Sequence, residues 1–135
     1  MTFSSQVDKA LAKATQRSSR VVRGTVLGIM RDTIKDTPVD TGRLRNNWFA
    51  SIGTPVNQVR GDAKTAKGNA SKAAGAAVSN AVDVSTKFKM GQIVYFTNNL
   101  PYAATIEFGG MVNGKARAGV GMLRRSIGIR TSKLR

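Results

Sequence analysis

Asn98-Asn99-Leu100-Pro101-Tyr102-Ala103-Ala104-Thr105-Ile106-Glu107-Phe108-Gly109-Gly110 follows an apolar run, Ile93-Val94-Tyr95-Phe96, and carries the single glutamate of the chain, Glu107. Asn98 and Asn99 suit a tight turn, because short amides tolerate left-handed backbone and bond locally. Pro101 then suits the first helical position, where a missing N–H costs nothing. Gly109 suits the left-handed residue just past the helix end. Tyr102, Ile106 and Gly109 recur at helical spacing, with Phe108 adding bulk beside them. The stretch reads as strand, tight corner, short buried helix and glycine stop. Glu107, partly enclosed there, needs a partner.

A second well-specified turn lies upstream: Thr37-Pro38-Val39-Asp40-Thr41-Gly42-Arg43-Leu44-Arg45. Pro38 disfavours helical backbone at Thr37, so any helix before it ends there. Asp40 can form an Asx turn and Gly42 supplies permissive dihedrals. Arg43 or Arg45 is the natural partner for Glu107, within one chain or across a subunit boundary. The two turns are expected to pack together. Trp48-Phe49-Ala50-Ser51-Ile52 alternates bulk like a half-buried strand, closed by Gly53-Thr54-Pro55.

Before the first turn, Val7, Leu11, Ala14, Ser18, Val21 and Thr25 recur at steps of four and three, and Val22, Val26, Ile29, Met30 and Thr33 extend the stripe. This predicts one helix of about 30 residues, roughly 45 Å long at 1.5 Å per residue. Ser5-Gln6-Val7-Asp8 fits a capping box at its start. Such a helix is too long to be buried throughout a domain of this size. Residues 1–20, with Lys9, Lys13, Arg17 and Arg20, are expected as an arm that is exposed or docked on another chain. Gly24 and Gly28 allow close approach of another backbone.

The 135 residues make one domain with a modest core. With 22 Lys+Arg against 7 Asp+Glu, the net charge is +15, which favours polyanions or acidic protein surfaces as partners. Cysteine and histidine are absent, which removes thiol nucleophiles, disulfides, the usual zinc sets and the commonest general base. No leader pattern or membrane span is visible, so the chain is expected to be made in a cytoplasm without membrane contact.

Residues 61–69 are expected as a mobile loop. The stripe Ala70, Ala73, Ala74, Ala77, Val78, Ala81 and Val82 predicts a helix over 70–82, weak because alanine buries little area. A second strand is expected from Gln92 to Thr97. After Gly110, residues 110–119 read as a mobile, glycine-rich basic loop. Met122-Leu123 with alternating Ile127 and Ile129 predict a last strand, and residues 130–135 a basic tail. The fold class is α+β: a long N-terminal helix on a small antiparallel sheet, with short second and third helices.

Catalysis is not expected. Asp32 and Asp36 could share a helix face, but Arg31 and Lys35 flank them and charge balancing explains them better. Gly119-Val120-Gly121 lacks the third spaced glycine of a dinucleotide loop, and no Walker-type lysine follows a glycine run. Aromatic residues are too few for a base-stacking platform, although phosphate contact needs no motif. No cofactor or metal is implied.

The joint pattern Pro38-Val39-Asp40-Thr41-Gly42-Arg43-Leu44-Arg45, then Asn99, Pro101-Tyr102-Ala103, and Ile106-Glu107-Phe108-Gly109, resembles the tail-completion (neck) proteins of long-tailed bacteriophages. That group includes minor tail protein Z of lambda-like phages. The chain departs from it near Gly121-Met122-Leu123-Arg124, where members usually carry a proline and this sequence has none after Pro101.

The resemblance implies a non-catalytic virion protein forming a ring, expected to be a hexamer, at the head–tail junction. Its partners would be further copies of itself, the head connector or stopper, and tail terminator or tube proteins. Lys64, Lys67, Lys72, Lys115 and Arg117 are then the candidates for contact with channel DNA or acidic neighbours. Two alternatives fit the same residues: a tail terminator ring capping the tube, and a small basic nucleic-acid-binding protein.

Overall fold

The N-terminal stripe forms a single helix, α1 (Phe3–Asp36), in a computed structural model that describes residues 2–39, 42–60, 74–112 and 114–133. Its 34 residues span about 50 Å. The helix starts earlier than the expected capping box. Thr2 is the N-cap: its Oγ1 accepts the Ser5 N–H at 3.2 Å, and Ser5 Oγ donates back to the Thr2 carbonyl at 3.0 Å. Ser5 thus serves in the first turn, replying to the cap instead of being it. The helix gives way at Thr37, which is extended (ψ 125°) as Pro38 requires.

Only the second half of α1 is covered. Gly28, Met30, Thr33 and Ile34 are its buried residues, whereas residues 2–20 are exposed apart from half-buried Ser5 and Ser19. After the turn come a one-turn helix α2 (Arg43–Asn46) and strand β1 (Trp48–Ile52). Helix α3 (Gly75–Lys87) follows, then strand β2 (Val94–Asn98), which pairs antiparallel with β1 from Trp48 opposite Asn98 to Ile52 opposite Val94. On one face of this ribbon Trp48 stacks on its diagonal neighbour Phe96, ring centroids 4.7 Å apart.

Trp48, Phe49 and Ala50 are all buried, so β1 does not alternate as a half-exposed strand would. Phe49, on the other face, lies under the Arg60 guanidinium, 4.0 Å from the ring centroid. Burial lowers the pKa of that guanidinium. The outer edge of β1 is closed by one side chain of α3. Asn80 Oδ1 accepts the Ala50 N–H at 2.6 Å, and its Nδ2 donates to the Ala50 carbonyl at 3.1 Å, as a neighbouring strand would. The alanine face of α3 lets the helix come this close: Ala77 and Ala81 lie in the core with Met30, Ile34 and Trp48. Val82, expected in the apolar stripe, is instead exposed, and Val84 takes its place inside.

Beyond β2, the short helix α4 (Ala103–Phe108) leads into a hairpin, β3 (Gly109–Val112) and β4 (Lys115–Ala118), where a mobile loop was expected over 110–119. The expected last strand is also replaced, by helix α5 (Met122–Ser132). Ile127 and Ile129 gave a false period of two. Both are exposed, while Met122 and Ser126, one helical turn apart, are fully buried. The sheet therefore has two strands, and the long helix packs against α5 and α3 as well as serving the ribbon's core. No helix among the described residues is long and apolar enough to cross a membrane.

Helix α5 is locked to α1 by an ion pair. Arg130 Nε and Nη2 donate to the Asp32 carboxylate at 2.7 and 3.0 Å. The guanidinium crosses α1 directly over Gly28, where an added Cβ would lie 2.8 Å from Arg130 Nε. Gly28 therefore admits a side chain, not the backbone expected from the sequence, and Gly24 faces open space. The hydrogen bonds from Arg130 hold the Asp32 pKa below its ordinary value of 3.8. A depressed carboxylate pKa contributes stability that is complete above about pH 4 and is lost as the pH falls through the folded value. The carboxyl resonance of Asp32 should therefore titrate below 3.8 by NMR, and Arg130→Gln should move the midpoint upward. Gly28→Ala should move it upward too, by displacing the guanidinium, even though alanine is the better helix former by about 1 kcal/mol.

Candidate assembly surfaces

Both turns that stand out in the sequence meet at the buried end of α1. Thr37 is fully buried, and its Oγ1 accepts the Trp48 indole N–H at 2.9 Å while donating to the Thr33 carbonyl at 2.6 Å. Its carbonyl takes two donors of Arg45, Nε at 3.1 Å and Nη2 at 2.8 Å, and Nη2 also reaches the Lys35 carbonyl at 2.7 Å. A cation is favoured there because the last carbonyls of a helix lack intrahelical donors. Burial lowers the Arg45 pKa.

Gly42 takes left-handed backbone (φ 80°) to start α2, placing Leu44 in the core. From the second turn, Asn98 Nδ2 donates to the Leu44 carbonyl at 2.9 Å, and Leu100 and Ala103 join the same cluster as Leu44. Asn99 binds the carbonyls of Val56 and Gln58 at 2.8 and 2.9 Å. The two stretches thus share one corner, with Pro38 and Pro101 on its surface. Asp40, Thr41, Lys64, Lys67 and Lys72 lie outside the described residues, as do the expected loop over 61–69 and the start of the expected 70–82 helix.

Glu107 does not pair with Arg43 or Arg45, as the sequence suggested. It is buried against the N-terminus of α5, where its carboxylate accepts the backbone N–H groups of Leu123 and Arg124 at 3.1 and 3.0 Å. The N-cap of α5 is Gly121, which offers no capping side chain, so a glutamate from another helix satisfies the orphan donors. Arg124 completes the clamp: Nε lies 3.3 Å from Glu107 Oε1, Nη2 donates to the Glu107 carbonyl at 2.7 Å, and the guanidinium lies over Phe108 at 4.8 Å.

The same corner closes the hairpin. Val120 and Gly121 donate to the carbonyls of Ile106 and Glu107 at 2.8 and 3.1 Å, bringing the two hairpin ends into backbone contact. Only glycine fits that crossing. A Cβ on Gly109 (φ 85°) would lie 2.7 Å from the Arg117 carbonyl oxygen, and one on Gly119 would lie 2.5 Å from that of Glu107. The hairpin stands out from this base, with Lys115 and Arg117 on fully exposed β4.

Tyr102 and Phe108, expected as the buried side of α4, face outward, and Phe108 is 66% exposed. The side chains that α4 buries are Ala103 and Glu107, with Ile106 half-buried. A further outward surface is the projecting half of α1, where Phe3 is 82% and Leu11 61% exposed and Val7 stands between them on the same face.

Sequence reasoning placed Thr37 at the helix end without its side-chain role, and missed the framework roles of Asn80, Arg124 and Arg130. Asn80 had a readable signal, a lone amide beside the apolar stripe of α3; Arg124 had none. No protein-family model, curated protein or solved structure matches the chain.

Glu107→Ala removes two helix-capping acceptors and the partner of Arg124, and should lower unfolding free energy by about 2–3 kcal/mol in urea denaturation. Glu107→Gln keeps an acceptor and should lose about half as much. In both variants, amide exchange should accelerate first in the initial turn of α5.

Proposed function

We propose that this chain is a structural virion protein of a phage neck, forming a ring at the head–tail junction that completes the tail and joins it to the head connector around the DNA channel. The observation that carries the reading is the projecting half of α1. Residues 3–20 form a helix that is exposed apart from half-buried Ser5 and Ser19, yet Phe3, Val7 and Leu11 line one side. An apolar stripe on a helix normally faces a packing partner. A neighbouring subunit supplies one when copies close into a ring. The same reading suits the corner that carries the resemblance, where Asn98 ties the second turn to Leu44 of the first. Such a corner fixes the directions in which α1 and the β3–β4 hairpin leave the body, and fixed projections are what a repeating joint requires.

On this reading the protein has no chemistry to perform. It is made in the bacterial cytoplasm and resides in the virion, with further copies of itself, the connector or stopper, and terminator or tube proteins as partners. The ring is expected to be a hexamer.

Removing residues 1–20 should leave the thermal unfolding midpoint within a few degrees of the full chain, because all but Ser5 and Ser19 of residues 2–20 are exposed. The same truncation should abolish ring formation in sedimentation velocity. Rings that persist without the arm would overturn its role. Electron micrographs of particles assembled without the protein should show full heads beside separate tails, and joined particles would overturn the neck assignment.

A further inference from the structure

Helix α1 has a second face, as ordered as the apolar one. Lys9, Lys13, Arg17, Arg20, Arg31 and Lys35 fall within roughly 80° of its circumference at 3.6 residues per turn, in a row about 40 Å long. The side chains of all six residues are exposed. The three acids of α1, Asp8, Asp32 and Asp36, lie outside that arc, and Asp32 is engaged by Arg130. None of the ion pairs among the described residues, Lys87–Asp83, Arg124–Glu107 and Arg130–Asp32, draws on the row. Gly24, with open space above it, occupies the arc between Arg20 and Arg31 and keeps the middle of the row low.

The helix therefore carries a straight line of like charges outside the ion pairs of the described residues, about a third of a turn away from its apolar stripe. In a chain of net charge +15, a second copy is a poor occupant for this face, since like charges would be opposed. A folded acidic protein would have to present carboxylates in a matching row. The partner whose charge is linear, stiff and dense by construction is duplex nucleic acid, with one phosphate charge per roughly 1.7 Å of axis.

We propose that the cationic face of α1 binds the phosphate backbone of duplex DNA without sequence preference. Phosphate contacts of this kind position a protein on the duplex and carry no base readout, which agrees with a face built from Lys and Arg alone. The proposal deepens the neck reading by naming the face that meets channel DNA, and it places that contact on α1 instead of Lys115 and Arg117. Its failure is separable from the failure of that reading, because ring formation is read by sedimentation and DNA contact by binding.

The test measures binding of the full chain to a random-sequence 30-base-pair duplex, roughly three helical turns, across a salt series. A variant carrying Lys9→Gln, Lys13→Gln, Arg17→Gln and Arg20→Gln is compared with one carrying Lys89→Gln, Lys115→Gln, Arg117→Gln and Lys133→Gln, which removes equal charge elsewhere. Glutamine preserves helix propensity, and circular dichroism checks that both variants keep the parent's helix content. The α1 variant should bind at least about tenfold more weakly at 0.1 M salt, with the log–log salt slope reduced in magnitude by about 3–4 for four lost phosphate contacts. The second variant should stay within about threefold of the parent. Equal loss in both variants, no loss in the first, or tighter capture by polyglutamate or anionic phospholipid vesicles than by the duplex at the same salt would each overturn the proposal.

Discussion

The buried threonine at the end of α1 ties the fold together. Thr37 stops the longest element because Pro38 follows it, and its hydroxyl and carbonyl then receive Trp48 and Arg45. One residue thus joins helix end, turn and first strand. Trp48 carries the connection onward by stacking on Phe96 of β2, and Asn98 at the end of β2 returns to Leu44. The loop of contacts combines one ring stack with side-chain donors onto a hydroxyl and onto backbone carbonyls, which is how a body with little apolar area can still fix its corners. A core rich in alanine would not hold them by burial alone.

The few acids of the chain are used with similar economy. Asp32 holds α5 across α1, and Glu107 caps α5 from α4, so two carboxylates fix both ends of one helix. The surface is left strongly cationic. Self-repulsion of that charge disfavours association of bare copies unless apolar contact or a polyanion offsets it. The apolar stripe of α1, with Phe3 and Leu11 exposed, is the surface on the chain that can supply such an offset.

Much of the fold was legible because strong local signals agreed with the tertiary outcome. The long stripe, the Pro38 stop and the first strand are each set by neighbouring residues. The readings that failed were those where distant contact decides. Met122 to Ser132 alternates like a strand over Ile127 and Ile129, but docking on α1 through Met122, Ser126 and Arg130 selects the helix. The glycine-rich segment after Gly110 reads as loose from composition; its pairing depends on Gly109 crossing Gly119, a contact no local pattern encodes. Glu107 announced itself as a residue in need of a partner, yet the partner lies in a helix that the sequence had suggested as a strand. Of the candidate site, the corner was visible and the reason for its rigidity was not.

The projecting arm raises a physical question: why a helix so widely exposed stays helical. An isolated segment of this length is marginal in water because its first turn is costly to nucleate. Here the nucleus exists already, since the second half of α1 is held by α3 and α5, and each further residue only propagates it. Ala10, Ala12 and Ala14 favour that propagation, and Thr2 with Ser5 closes the far end. A helix extended from a fixed base keeps its azimuth. Its apolar stripe and its cationic row therefore leave the body in set directions, about a third of a turn apart. On the proposed assembly, one element would meet a protein neighbour on one side and a polyanion on the other without rearrangement. Such division is available only to a helix whose body end is locked, which returns the direction of the arm to the contacts around Thr37.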